Sequence, residues 1–140
     1  MADCLFCDIL AGDLPGTFVY RDDRVFALMD IQPVNPGHLM VVPNAHAAFL
    51  VDLDPETGGH MFRIAQQMAR ALRDSGLPCE GVNMFLADGE AAMQEIFHVH
   101  LHVFPRTAGD GFGLTFGPNY MTKPPREQLE EAAAKIRAAL

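Results

Sequence analysis

Three histidines alternate with apolar residues in one short stretch of the chain. His98, His100 and His102 are separated by Val99 and Leu101. Successive side chains of a β-strand point to opposite faces, so this spacing predicts one face of imidazoles and one apolar face that enters a core. Imidazole has an ordinary pKa near ~6.5 and can act at neutral pH as a nucleophile, a proton carrier or a metal ligand. Half of the six histidines of the chain lie in this run, so we expect the chemistry there.

Three interpretations of this run are open from the residues alone. The histidines can belong to an ordinary strand and face solvent. They can bind a metal ion, although three of them span on the order of 13 Å, and one ion would reach all three only with distortion. They can also form a nucleophilic site, in which one neutral imidazole attacks an electrophile such as phosphorus and its neighbours stabilise the developing charge.

Length and charge restrict the class of protein. A chain of 140 residues that is 49% hydrophobic suits a single domain with one core. The formal net charge of -8 argues against a general DNA or RNA binder and against binding to an anionic membrane surface. A small phosphorylated ligand is still compatible with an acidic protein, because a local pocket can favour anions.

The cysteines and the first residues indicate a compartment. The first 15 residues have no basic region and no long apolar stretch, so we expect no secretory signal and no membrane span. Three cysteines do not make a disulfide framework. We therefore expect a cytoplasmic protein with reduced thiols.

The order of predicted elements favours the α+β class. A helix is expected to begin at Asp54, Pro55 and Glu56 and to close at Gly76, with His60 on its solvent side. Pro124 and Pro125 open a last helix. The predicted strands are 17–20, 25–29, 38–42, 82–86 and the histidine run. Hairpins without regular alternation of strands and helices predict a five-stranded antiparallel sheet, one long helix and a C-terminal helix.

The segment from Gln94 to Phe104 resembles the signature of the histidine triad (HIT) superfamily of nucleotide hydrolases and transferases. Pro36-Gly37-His38, followed by Val41-Val42-Pro43 and His46, resembles the central strand of that family. Asp88-Gly89 and Pro105-Arg106 resemble both bacterial HIT proteins and the Fhit-like branch, and Cys4-Leu5-Phe6-Cys7 is similar to the start of zinc-containing bacterial members. The resemblance covers about residues 4–110 and implies a single HIT domain over 1–140, with a C-terminal extension at 111–140.

The resemblance implies a role for each site residue. His100 would attack the α-phosphorus of a purine nucleotide and carry the nucleotidyl group until water releases it, and the chemistry would need no metal. His102 would contact the phosphate and assist the leaving group. Gln94 would hydrogen-bond the phosphate, and His98 would complete the catalytic group. Asp30 would hold the ribose hydroxyls. The implied substrate-binding residues are Leu5, Phe6, Ile9, Leu28, Asp30, Ile31 and His38.

The same resemblance implies a structural zinc site. Cys4 and Cys7 form a CxxC pair, and His46 and His98 would complete a Cys₂His₂ set. Such a closed tetrahedral site has no open position for catalysis, so it would fix the N-terminus to the sheet. Two unpaired thiols are the alternative reading of the cysteine pair.

Three residues depart from the family pattern and bear on the substrate. Ala87 replaces an amide side chain, Met93 replaces a glycine, and Glu95 replaces a hydroxyl residue. A carboxylate at position 95 would repel a polyphosphate unless Arg106 reaches inward to neutralise it. We therefore expect AMP phosphoramidates or acyl-AMP to be favoured. The alternatives are a dinucleoside polyphosphate hydrolase of Fhit type and a catalytically weak nucleotide- or zinc-binding module. A homodimer through helix 55–75 and the fourth strand is expected.

Overall fold

A computed structural model describes residues 3–140, so Met1 and Ala2, which open the segment searched for a leader, lie outside the described residues. By its contacts the chain divides into one unit that ends at Asp110 and a second unit, Gly111–Leu140. No helix within residues 3–140 is long and apolar enough to cross a membrane. The first unit contains helices α1 (Leu5–Ala11) and α2 (Pro55–Asp74) and strands β1 (Phe18–Arg21), β2 (Val25–Met29), β3 (Leu39–Pro43), β4 (Gly81–Phe85) and β5 (Leu101–Arg106).

The five strands form one antiparallel sheet in the order β1-β2-β3-β5-β4. This confirms the predicted α+β class. Strands β2 and β3 are almost entirely buried, and β4 lies at an edge of the sheet. Helix α2 packs on one face of the central strands, and helix α1 packs on the other face. Both faces of the central strands are therefore buried.

The histidine run is only partly a strand, which corrects the prediction. Strand β5 begins at Leu101, so His98 and His100 precede the regular ladder. The ladder with β3 stops because Pro43 has no N–H to donate, and the N–H of Val99 bonds instead to the carbonyl of Ala47 at 2.8 Å. The chain nevertheless alternates as expected, since Val99 belongs to the apolar core that includes helix α2.

Helix α2 begins as the sequence predicts. The carboxylate of Asp54 accepts a hydrogen bond from the N–H of Thr57 at 3.2 Å, which satisfies one of the free amides of the first turn. Met61, Ile64, Ala65 and Leu72 form its buried stripe. This stripe packs on β3 and β5, and burial of such side chains stabilises the fold by roughly 1.5–3 kcal/mol each.

His60 does not simply face solvent, contrary to the prediction. Its Nε2 lies 2.6 Å from Oδ2 of Asp22, which also accepts a hydrogen bond from the hydroxyl of Tyr20 at 2.7 Å. Burial raises the pKa of Asp22, but hydrogen bonds from His60 and from the amide of Val25 lower it by more, so the net shift is downward. This contact joins the start of α2 to the β1–β2 turn.

Helix α1 was not predicted. It is seven residues long, begins after the N-cap residue Cys4 and ends at Gly12, whose φ of 90° is left-handed. Its buried side chains, Phe6 and Ile9, pack on Phe26, Leu28, Met40 and Val42 of the sheet. So short a helix gains its stability from tertiary packing, because an isolated helix of this length is unstable in water.

The second unit consists of an extended segment and helix α3 (Arg126–Ala138). The helix follows the Pro-Pro pair as predicted. None of its residues is buried, and its Leu129 and Ile136 are 46% and 64% exposed.

Candidate active site

A cavity of about 730 Å³ lies in the first unit and contains most of the predicted site residues. Its wall includes His100, His102, Ala87, Met93 and Glu95. Six of the seven expected substrate-binding residues also line it, namely Leu5, Phe6, Ile9, Leu28, Asp30 and Ile31. Ile31 is 95% exposed, so it stands at the mouth. An apolar cavity with a few polar groups is the usual form of a small-molecule site.

The ring of His100 has a fixed tautomer. Its Nδ1 lies 2.8 Å from the backbone carbonyl of His98, which can only accept, so Nδ1 carries the proton and donates it. Burial lowers the pKa of His100, although the His98 carbonyl acts in the opposite direction. The ring is therefore neutral near pH 7, and Nε2 retains a lone pair. A neutral imidazole with an available lone pair is a nucleophile.

His102 has a fixed tautomer as well, through two hydrogen bonds in sequence. The N–H of Val34 donates to Nδ1 of His38 at 2.9 Å, so the one proton of neutral His38 is on Nε2. That atom lies 2.8 Å from Nδ1 of His102, which must accept. The proton of His102 is therefore on Nε2. Burial lowers the pKa of both rings, and that of His102 falls to about 4 with a further contribution from His100.

His38 does not line the cavity. It is 4% exposed, contacts His102 ring to ring at 5.0 Å between centroids, and packs on Phe104. The structure thus places it behind His102, whereas the sequence analysis grouped it with the substrate-binding residues. Its polar atoms are used by Val34 and His102.

Asp30 lies next to the two rings. Its Oδ2 is 3.4 Å from Nε2 of His38 and 3.6 Å from Nδ1 of His102, and its Oδ1 accepts from the N–H of Gln32 at 2.8 Å. These three side chains are near enough to share a metal ion. A metal on Nε2 of His38 would move the proton of that ring to Nδ1, directly against the N–H of Val34. We therefore describe the hydrogen bonds from Val34 through His38 to His102 as a relay, with Asp30 beside it, and not as a metal site.

Gln94 is buried and its amide is used within the protein. Its Oε1 accepts from the N–H of Gly89 at 2.8 Å, and its Nε2 donates to the carbonyls of Ala48 at 2.7 Å and Ile96 at 3.2 Å. The expected phosphate contact would require one of these bonds to break. In this structure Gln94 holds the loop that carries Met93 and Glu95.

Met93 and Arg106 show how the departures from the family pattern are accommodated. Met93 adopts a left-handed φ of 69° and is 71% exposed. That conformation favours glycine, which explains why the family pattern has a glycine at this position. Arg106 does not reach the cavity wall. Its guanidinium makes two bonds to Asp110 at 2.7 and 2.8 Å and one to Asn83 at 2.8 Å.

Four side chains next to the cavity form a candidate metal centre. The ligand atoms of Cys4, Cys7, His46 and His98 all lie within 4.8 Å of one another. Sulfur-to-nitrogen distances are 3.3 Å for Cys4–His98, 3.6 Å for Cys7–His46 and 3.7 Å for Cys7–His98. Tetrahedral Zn²⁺ with ordinary bond lengths places such atoms about 3.6 Å apart. The donor set and its spacing therefore fit a four-coordinate ion.

His98 belongs to these four side chains, called the metal cluster below, and also contacts His100. Its Nε2 donates to the carbonyl of Pro43 at 2.8 Å, which leaves Nδ1 as the ligand atom facing both sulfurs. Its own carbonyl fixes the proton of His100. Phe6 contacts both rings, with centroid distances of 5.6 Å to His98 and 5.1 Å to His100.

A protein-family model for the HIT domain matches residues 11–109. The chain belongs to the HIT family. The fold of this HIT protein is similar to a HIT family protein from Bacillus anthracis, with a TM-score of 0.90 and 33% identity over 99% of this chain and 98% of the other. A Zn-bound histidine triad family protein from Mycobacterium smegmatis shares 39% identity over 99% and 98% of the two chains, with a TM-score of 0.76.

One relative of this HIT protein has a named activity. The adenosine 5'-monophosphoramidase of Schizosaccharomyces pombe is 30% identical over 96% of this chain and 98% of its own length. The family assignment and the α+β fold expected from the sequence are thus confirmed.

Proposed function

We propose that this protein hydrolyses purine nucleoside 5'-phosphoramidates, or acyl-AMP, at the α-phosphorus through a covalent nucleotidyl intermediate on His100. The main support for this proposal is the hydrogen bond from Nδ1 of His100 to the His98 carbonyl. This bond leaves a lone pair on Nε2 of a neutral ring in the cavity wall. The named activity of the S. pombe relative supports the same class of substrate.

The reaction takes two displacements at phosphorus. In the first, Nε2 of His100 bonds to the α-phosphorus, and the bond to the leaving nitrogen breaks. The leaving nitrogen keeps the electron pair, takes up a proton from solvent and departs as an amine. In the second, water attacks phosphorus and releases a proton to solvent, the bond to Nε2 breaks, and its electron pair returns to the ring. The products are an amine and AMP, and no metal takes part.

The neighbouring side chains hold the reacting group. The Nε2–H group of His102 can donate a hydrogen bond to a phosphoryl oxygen as negative charge develops on that oxygen. The proton is on Nε2 because the relay from Val34 through His38 prevents the other tautomer. The base would lie against the apolar wall formed by Phe6, Ile9 and Leu28 of α1 and β2, and Asp30 would accept hydrogen bonds from the ribose hydroxyls.

The metal cluster would have a structural role. A zinc ion held by Cys4, Cys7, His46 and His98 has no remaining tetrahedral position for substrate. It would hold α1 against the sheet, and α1 supplies one wall of the nucleotide cavity. The M. smegmatis relative, which is Zn-bound, supports this assignment.

The test is the fate of the nucleotidyl group. Purified protein is mixed with an adenosine 5'-phosphoramidate, and the reaction is quenched within a turnover and analysed by mass spectrometry. We expect an adenylyl adduct on His100, steady release of AMP in the parent, and neither in His100→Ala. His60→Ala, which changes a histidine outside the cavity, is the matched control and should turn over. Normal activity of folded His100→Ala would refute the mechanism.

A further inference from the structure

Within residues 3–140, the wall of the catalytic cavity contains the carboxylates of Asp30 and Glu95 and no lysine or arginine. A nucleotide phosphate brings further negative charge to this cavity. We therefore expect the site to discriminate between substrates by the charge of the group attached to that phosphate.

The two carboxylates differ in their surroundings. Asp30 accepts a hydrogen bond from Gln32 and lies beside the relay. Within residues 3–140, Glu95 makes no hydrogen bond or ion pair, and its neighbours in the wall, Met93 and Ile96, are apolar. Glu95 is exposed, so a ligand charge of either sign beside it would interact with it at the modest strength of a surface charge pair.

No lysine or arginine of residues 3–140 lines the cavity that Glu95 borders. Arg106 is held by Asp110 and Asn83, and Arg21 lies over the ring of Phe18, 4.5 Å from its centroid. Glu95 also borders the cleft beside the metal cluster. With a divalent ion bound, two thiolates and two neutral imidazoles would bring the net charge of that cluster to zero.

Glu95 lies on the loop 93–96, which forms part of the same cavity wall as His100 and His102. The apolar side chains of α1 and β2, together with Asp30, form the part of the wall suited to a base and a ribose. Glu95 and Leu5 of α1 both line the cleft beside the metal cluster. With the α-phosphorus at His100 and the nucleoside on α1 and β2, the departing group would lie toward the loop 93–96.

We propose that Glu95 makes the site selective for leaving amines that carry a second, positive charge, and this proposal rests on the proposed phosphoramidase function. The second ammonium group of such an amine would pair with the free carboxylate. An anionic leaving group would be repelled by it, and a neutral one would be intermediate.

The test uses three adenosine 5'-phosphoramidates whose amines are 1,4-diaminobutane, pentylamine and 4-aminobutyrate. They have nearly the same length and differ in the terminal charge. We expect kcat/KM of the parent to fall in that order, by about threefold at each step, which is the effect of an exposed charge pair. Glu95→Gln should make the three values nearly equal. Glu90→Gln removes the same charge from an exposed residue outside both cavities and should keep the order.

Equilibrium binding of the same three compounds separates the two proposals. It is measured in His100→Ala and in the same variant with Glu95→Gln, so that no turnover is needed. If the affinities follow the order of charge and Glu95→Gln removes that order, the selectivity of Glu95 is supported. Absence of turnover of all three compounds in the parent would refute only the proposed phosphoramidase function. Turnover with equal rates for the three charges, or an order that persists in Glu95→Gln, would overturn the role of Glu95.

Discussion

Nε2 of His38 lies 2.8 Å from Nδ1 of His102, and this contact determines which nitrogen of His102 carries its proton. The determination begins at the backbone, because the N–H of Val34 occupies Nδ1 of His38. A main-chain amide thereby fixes the orientation of a donor in the cavity through one intervening ring. A hydrogen bond to one ring nitrogen of a histidine commonly determines which of the two nitrogens carries the proton.

Removal of the relay should slow the reaction without weakening nucleotide binding. His38→Phe keeps a ring behind His102 but takes away the N–H that fixes its tautomer. We expect kcat to fall by about 100-fold, at the lower end of the range for loss of one positioned proton donor, with KM little changed. Steady-state kinetics measure both. A variant with unchanged kcat would show that the tautomer of His102 does not matter.

Removal of the metal should weaken nucleotide binding as well as stability. Metal analysis is expected to give about one zinc per chain, and Cys4→Ser or Cys7→Ser should lose it. Because α1 forms one cavity wall, the Kd for AMP measured by calorimetry should rise by about tenfold in these variants. Cys79→Ser changes a cysteine outside the cluster and should retain the metal and the affinity. Zinc-free parent protein with normal affinity would contradict the assignment.

Stability should decrease in mild acid because of His102. Burial lowers its folded-state pKa to about 4, below the ordinary value of 6.5. Between these values the unfolded chain binds a proton that the native state does not, so the free energy of unfolding falls as the pH falls. The contribution is about 3 kcal/mol in full, present above pH 6.5 and lost by pH 4. Denaturant titrations of the parent and of His102→Gln should therefore converge in this window. Parallel pH profiles would contradict the shift.

Replacement of Met93 should relieve backbone strain. Its left-handed φ of 69° disfavours a side chain, and at 71% exposure the side chain contributes little packing. Met93→Gly is expected to be neutral or stabilising by up to about 1 kcal/mol, because the gain in the folded state is partly offset by extra freedom of the unfolded chain. Met93→Val, which is β-branched, should destabilise. Thermal denaturation distinguishes the two, and the reverse order would contradict the explanation.

The dimer expected from the sequence stays a prediction, and the structure indicates how to test it. Strand β4 is at the edge of the sheet, and Phe62 on α2 is 53% exposed. Light scattering should give about twice the 15.3 kDa of one chain. Phe62→Glu should shift the mass toward one chain, whereas Val51→Glu, at an 88% exposed position outside the expected interface, should not. A parent of single-chain mass would refute the dimer.

Local patterns predicted four of the five strands, the C-terminal part of the histidine run, the start of α2 and the grouping of His100 with His102. Contacts between distant residues were not predictable in the same way. Gln94 bonds to Ala48, 46 residues away, and His60 bonds to Asp22, 38 residues away, and nothing near either residue specifies its partner. Helix α1 was missed because seven residues are too few to show a helical period.

The metal cluster has a consequence for how the chain folds. Cys4 and His98 are 94 positions apart, so an ion bound to both would close almost the whole first unit into a single loop. Such a cross-link reduces the entropy of the unfolded chain, and the reduction grows with the length of the loop. Binding of such an ion would also come late in synthesis, because the two cysteines leave the ribosome long before His98 does. The link between the N-terminal helix and His98 would then form only after nearly the entire unit has been made.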